Sequence, residues 1–147
     1  MKLQDLIVSL NEDLSREYSH WHFYIQASAL VQGLHRKELA EFLRKEAEGE
    51  MEHVQEFAQL LVSLGARPTT TVAPFVDDLY SPVKILEEAI RMETEVVAFY
   101  SQRMDDCDTI TEPDEVITAK YIHAFVEQQL LDSRKDADEM KQMLKGL

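Results

Sequence analysis

The chain is poor in the residues that interrupt helices, with four glycines and four prolines among its 147 residues. An average protein devotes roughly 12% of its length to these two types. β-Sandwiches and glycine-rich phosphate loops need more turn residues than this, so the shortage excludes them and points to long helices. Cysteine is nearly absent. The single Cys107 rules out an intramolecular disulfide and any multi-cysteine metal cluster, and it reads as an inert thiol beside a turn. Bases are scarce too: 15 Lys and Arg face 28 Asp and Glu, for a net charge of −13. Such a field repels nucleic acid and anionic lipid and attracts cations. No apolar run approaches the ~18 residues of a membrane span, and no leader pattern follows Met1-Lys2. A cytoplasmic setting is expected, with neither nucleic acid nor membrane as partner. What is abundant is ordinary globular material, 45% apolar and 29% charged, in a length that suits one domain over residues 1–147.

The few breakers divide the chain into four helices: α1 over about 3–32, α2 over about 37–64, α3 over about 82–106 and α4 over about 114–145. Gly65 is a natural stop for α2, and Ser81-Pro82 supplies an N-cap followed by proline at the first helical position of α3. Pro113 is expected to open α4, with Asp114 and Glu115 favourable in its first turn. Alternating steps of three and four trace one stripe per helix. On α1 it runs Leu3, Ile7, Leu10, Leu14, Glu17, Trp21, Tyr24, Ser28, Val31. On α2 it runs Leu39, Leu43, Glu46, Glu50, His53, Phe57, Leu60, Leu64. On α3 it runs Leu86, Ile90, Glu93, Val97, Tyr100, Met104. On α4 it follows Val116, Ala119, His123, Val126, Leu130, Ser133, Ala137, Met140, Leu144, with Glu127 one step off. The expected architecture is all-α, a four-helix bundle. Short α1–α2 and α3–α4 links demand antiparallel neighbours. The 17 residues from Gly65 to Ser81 reach roughly 55 Å when extended, enough to run the length of a helix and join α2 to a parallel α3.

Charged residues occupy places on these stripes that apolar residues should fill. Glu17, Glu50, His53 and Glu93 each fall midway along a helix, and antiparallel folding brings them, with Glu127, to one height. Unpaired carboxylates in an apolar core cost several kcal/mol each or take up protons. No bases lie on the stripes to neutralise them, so a pair of divalent metal ions is the expected compensation. Oxygen ligands with one or two imidazoles suit iron or manganese, and spacing alone does not separate these from zinc. Glu50-Met51-Glu52-His53 puts a carboxylate and an imidazole on one helical face. An isolated E-x-x-H is a weak signal in an acidic helix; four such groups at one level are a strong one. Tyr24, one heptad after Glu17, is either core packing or a partner of the site. His20 and His22 read as ordinary, although Glu17-Tyr18-Ser19-His20 repeats the spacing and allows His20 a supporting role. Glu46, one turn before Glu50, reads as a transfer ligand or as part of a solvated face.

The segment Leu10-Asn11…Leu14…Glu17…Tyr24 is similar to the first helix of ferritins and bacterioferritins. Phe42-Leu43-Arg44…Glu50-Met51-Glu52-His53 resembles their second-helix motif, and Glu93 falls where the third helix supplies its glutamate. The likeness covers nearly the whole chain and implies a ferritin-like bundle with a ferroxidase centre. By that resemblance Glu17 and His53 are terminal ligands of one iron, Glu50 is the bridge, and Glu93 binds the second iron with Tyr24 beside it. The fourth helix departs from the bacterioferritin pattern. Where that family has a second E-x-x-H, this chain reads Glu127-Gln128-Gln129-Leu130. The Glu127-Gln128 pair is instead similar to other ferritins, whose glutamine orders a water or oxidant at the second iron. The resemblance therefore implies a second metal held by Glu93 with Glu127 or Gln128, more open and less occupied than the first. Met51 matches a haem ligand of bacterioferritins, but haem-free ferritins share that methionine, and haem is not expected.

The implied function is oxidation of Fe(II) by O2 or H2O2 and storage of the product as mineral. Rival readings are another di-iron carboxylate enzyme, such as a rubrerythrin-like peroxidase or an oxygenase, and a non-enzymatic bundle. The absence of a four-cysteine module argues against rubrerythrin proper, and the absence of a basic tail against a DNA-protecting miniferritin. Storage requires a shell, so a homo-oligomer is implied: a dimer on α1, α2 and the apolar loop residues Val72, Phe75, Val76, Leu79 and Tyr80, and beyond it a 24-subunit particle. Only Gly146-Leu147 follow α4, and no fifth helix is expected.

Overall fold

The computed structural model describes residues 1–147. It has four helices and no strand: α1 Leu3–Leu30, α2 Arg36–Ser63, α3 Pro82–Asp108 and α4 Val116–Lys145. None is long and apolar enough to cross a membrane. The N-cap of α3 forms as its sequence suggests, with the Ser81 side chain accepting from the Lys84 N–H and Pro82 opening the helix. Gly65 closes α2 at φ +80°, a region open to glycine at little cost. There its N–H donates to the Val62 carbonyl at 3.0 Å and that of Ala66 to Leu61 at 2.9 Å, the paired bonds of a Schellman stop. α4 begins two residues later than expected. The Glu112 carbonyl accepts from both Glu115 and Val116, so Pro113 sits in a tight turn ahead of the helix rather than in its first turn.

The bundle closes as two antiparallel pairs, α1 with α2 and α3 with α4, and α1 runs antiparallel to α3. Successive contacts define that last direction: Asp13 meets Arg103, Glu17 meets Tyr100, and Tyr24 meets Glu93. Helices α2 and α3 are consequently parallel, and the long connection spans the bundle as its length demands. It follows α1 in the same direction. Asn11 holds Arg67 and Thr69, Ser15 and Ser19 hold Ala73, Gln26 holds Asp77, and the Gln32 N–H donates to Tyr80. Side chains of Asn11, Ser19 and Gln26, with the Ser15 carbonyl and the Gln32 N–H, thus satisfy loop backbone that would otherwise lie unpaired against a helix. Phe75 and Leu79 turn inward onto the chain's own core, while Val76 and Tyr80 stay exposed. The expected apolar loop surface is therefore smaller than the sequence suggested.

Two apolar clusters fill the bundle. One gathers Leu6, Leu10 and Leu14 with Phe57, Leu61, Tyr100, Ile122 and Val126; the other gathers Phe23, Leu43, Leu86, Ala89 and Met140. Between them lies a polar layer at Glu17 and His20 of α1, Glu50 and His53 of α2, and Glu93 of α3. Two stripes are phased differently from the expected ones. On α3, Ala89, Val96 and Arg103 are buried and Ile90, Val97 and Met104 only partly so; on α4, Ile122 and Gln129 are buried rather than His123 and Leu130.

The burial of Arg103 serves a lock one turn from the polar layer. Its guanidinium grips fully buried Asp13 through two bonds of 2.8 and 3.0 Å and reaches Asp106 at 2.7 Å. Arg16 adds a third contact to Asp13 at 2.9 Å and stacks over Phe99, 3.5 Å from its centroid. Arg103→Ala leaves a buried carboxylate short of its main partner and is expected to cost about 3 kcal/mol, read as a lowered denaturation midpoint. The loss should be much smaller when Asp13→Leu is added, because the stranded charge is then gone.

Candidate metal centre

The polar layer is organised around Glu50. Its Oε2 lies 3.3 Å from His53 Nδ1, which is also 3.5 Å from Glu17 Oε2. Its Oε1 turns the other way, 4.0 Å from His20 Nδ1, and that nitrogen lies 3.3 Å from Glu93 Oε1. Ligand atoms of Glu17, Glu50 and His53 thus converge within 4.8 Å of one another, as do those of His20, Glu50 and Glu93. The two sets share Glu50 and nothing else. Glu17, Glu50 and Glu93 are buried to within 2% exposure, and His53 retains 12% at its side chain.

Tyrosines fix both terminal glutamates. The Tyr24 O–H donates to Glu93 Oε1 at 2.9 Å, and the Tyr100 O–H donates to Glu17 Oε1. Each tyrosine stands seven residues after the glutamate on its own helix and reaches the glutamate on the other. The opposite oxygens, Glu17 Oε2 and Glu93 Oε2, are buried without a hydrogen-bond partner. A buried carboxylate oxygen left bare is expensive, and a cation between it and Glu50 removes that penalty. The donor set of carboxylates and imidazoles therefore fits a pair of divalent metal ions.

In their absence, protons take the same role. Burial, then the charge of Glu17, pushes the Glu50 carboxyl up to about 7. Burial would lower His20, but the charges of Glu93, Glu50 and Glu17 push it up to about 9. Burial likewise opposes the charged form of His53, which its contacts to Glu17 and Glu50 push up to about 12. Burial and the charge on Glu93 hold the Tyr24 hydroxyl well above its usual range, so it stays a donor.

The fourth helix approaches differently from the sequence-based expectation. Glu127 and Gln128 are exposed and do not join the cluster. Val126 faces the core, and a residue one step on is turned by about 100° around the helix. Glu127 lies 3.9 Å from His123, and Gln128 donates to Asp132 at 3.1 Å. Asp132 is the residue that reaches the site, with Oδ2 3.4 Å from His53 Nε2. A carboxylate on the outer nitrogen orients an imidazole and fixes its tautomer. Gln129, not Gln128, is buried, donating to Glu56 at 2.9 Å. Sequence reasoning thus missed Asp132 and underrated His20 and Tyr100. The signals for the last two were present as E-x-x-H at 17–20 and as a second glutamate–tyrosine heptad at 93–100.

A cleft of about 230 Å³ between α2 and α4 leads to Glu50 and His53, lined only by Lys45, Glu46, Gly49, Asp132, Lys135 and Asp136 besides those two. Glu46 is half-buried there; burial and the charge of Asp136 push it up to about 8, and burial with the charge of Glu93 pushes Asp136 up to about 6. Gly49 opens this wall, and an added Cβ would meet nothing within 4 Å. Gly49→Ala is expected to stabilise the protein by about 0.5–1 kcal/mol through helix propensity, measured by denaturant unfolding.

Residues 7–147 match the family model for the ferritin-like domain. The chain belongs to this family. Among solved structures, this ferritin-like chain resembles a ferritin-like diiron-carboxylate protein from Bacillus anthracis str. Ames, with TM-score 0.81, 26% identity and 96% of each chain covered. It also shares its fold with Mycobacterium tuberculosis bacterioferritin, at TM-score 0.80 and 19% identity over 96% of this chain and 84% of that one. A DPS protein from Vibrio cholerae O1 superposes at TM-score 0.84 with 14% identity, over 96% and 89% of the two chains. No curated protein sequence matches it.

Proposed function

We propose that this ferritin-like protein oxidises Fe(II) and stores the product. The observation that carries the reading is the division of Glu50, whose two oxygens face two separate ligand sets. Fe(II) is the substrate. One ion binds against Glu17, His53 and Glu50; the second binds against Glu93 on the far side of Glu50. Tyr24 and Tyr100 each hold one oxygen of an outer glutamate and leave the other without a hydrogen bond, free to meet a cation. Two Fe(II) together release two electrons, enough to take O2 to H2O2 or H2O2 to water. The side chains supply position and charge rather than covalent chemistry. Asp132 keeps His53 oriented, and the charged cleft offers hydrated cations a way in and out. Haem has no part in this reading. Gln128 contributes at most through its bond to Asp132.

Storage needs a compartment that one bundle does not provide. Exposed apolar side chains at Val8 and Ile25 of α1, Val62 of α2 and Val76 and Tyr80 of the long loop support a homo-oligomer, and the 24-subunit shell is the assembly proposed. Aerobic Fe(II) addition followed by chromatography with light scattering is the test. The expected result is iron, far in excess of two per chain, co-eluting with a particle near 24 times the 17.0 kDa chain. Oxidation by a dimer that retains no mineral would favour a di-iron enzyme of another type.

A further inference from the structure

Resting on that di-metal reading, we propose that His20 is a ligand of the second metal, so that α1 rather than α4 supplies the second imidazole of the centre. The two ligand sets then correspond in residue type and spacing, with one difference: His53 faces the Glu17 oxygen that Tyr100 leaves free, whereas His20 faces the Glu93 oxygen that Tyr24 also holds. His20 Nδ1 lies 3.3 Å from Glu93 Oε1 and 4.0 Å from Glu50 Oε1, as His53 Nδ1 lies 3.5 Å from Glu17 Oε2 and 3.3 Å from Glu50 Oε2. Both outer glutamates keep a buried oxygen without a hydrogen-bond partner, and both are held by a tyrosine from the other helix. The sequence carries the same correspondence, since Glu17-Tyr18-Ser19-His20 and Glu50-Met51-Glu52-His53 each set a carboxylate and an imidazole three residues apart on one helical face.

No other histidine competes for the role. His123, the one histidine of α4, is half-buried between Asp108 and Glu127, 3.9 Å from each, and lines a separate pocket beside Cys107. The fully buried polar residues of α4 are Gln129 and Ser133, neither of them a strong metal ligand, and its half-buried Asp136 is paired with Glu46 in the cleft. Helices α1, α2 and α3 therefore complete both ligand sets, and α4 is left to orient His53 through Asp132 and to line the cleft. Two ions of similar occupancy follow, in place of the open second centre expected from the sequence. The competing account of His20 is a protonated counter-ion to Glu93 that never meets a metal.

Anaerobic Co(II) titration of the full chain separates the two, because imidazole ligation is visible in the d–d bands and stoichiometry needs no turnover. Wild type is expected to bind about two Co(II) per chain, and His20→Asn and His53→Asn about one each, with altered bands in both. Two Co(II) in His20→Asn with a wild-type spectrum would overturn the assignment and leave the di-metal reading standing. Fewer than two in wild type would overturn both. Should the variant fold poorly, the wild-type protein still decides: hyperfine-shifted ring signals from two imidazoles are expected in the Co(II) form, and signals from one alone contradict the proposal.

Discussion

Glu50→Ala is expected to abolish the rapid phase of Fe(II) oxidation, lowering the initial rate by roughly 100-fold or more, because even partners outside the ligand shell are commonly worth 10–100-fold. Glu50 is the one residue whose two oxygens serve both ligand sets, so its loss removes the shared edge that holds two ions together. His53→Ala should weaken one set and leave the other, a smaller loss of about 10-fold. The two variants should also differ as folded proteins. Burial and Glu17 disfavour the charged Glu50, so its removal relieves the apo core, and apo Glu50→Ala should melt no lower than wild type. Equal rate losses in the two variants, or wild-type rates in either, would contradict a bridging role.

Metal binding should stabilise the fold strongly. Two bound ions, each at about a hundredfold excess over its dissociation constant, contribute roughly 5 kcal/mol between them, or a rise of more than 10 °C at this chain length. Stability of the apo protein should depend on pH in one direction. Glu50, Glu46 and Asp136 have folded pKa values raised to about 7, 8 and 6. For a carboxyl raised in the fold, the stabilising proton is present at low pH and is lost as pH rises through the folded value. His20, raised to about 9, contributes stability that is full below its ordinary value near 6.5 and disappears as pH rises through 9. All four effects share a sign, so the apo melting temperature should fall between about pH 5 and pH 9 while the metal increment grows. Thermal scans with and without Zn(II) across that range check both statements. A melting curve indifferent to metal would count against a core site.

Much of this architecture was legible because helix breakers are so few that each marks a boundary. Gly65, Ser81-Pro82 and the long connection fixed the helix count and the parallel relation of α2 to α3. The stripe logic was sound for α1 and α2, where large apolar residues recur without ambiguity. It slipped on α3 and α4, where small or polar residues hold inward positions. Ala89 rather than Ile90, and Arg103 rather than Met104, face inward because Arg103 is drawn to Asp13. A hydrophobicity pattern alone has no means of seeing that pair. On α4 the step from Val126 to Gln129 keeps phase where a step to Leu130 was the more apolar choice, and the contribution of Asp132 was hidden by the same slip. Glu17, Glu50, His53 and Glu93 were recognisable as a group because each breaks an apolar stripe at one height. His20 lies one turn from Glu17, within an aromatic stretch that reads as packing; its spacing from Glu17 allowed a supporting role, and its Nδ1 contact to Glu93 puts it in the cluster.

A centre for two metal ions divided by Glu50 has a direct crystallographic signature. The most direct test is an anomalous-scattering map collected at the iron edge from crystals soaked anaerobically in Fe(II). The predicted result is two peaks, one between Glu17, His53 and Glu50 and one between His20, Glu93 and Glu50. A single peak, or iron confined to the cleft at Glu46 and Asp136 with the core empty, would contradict it.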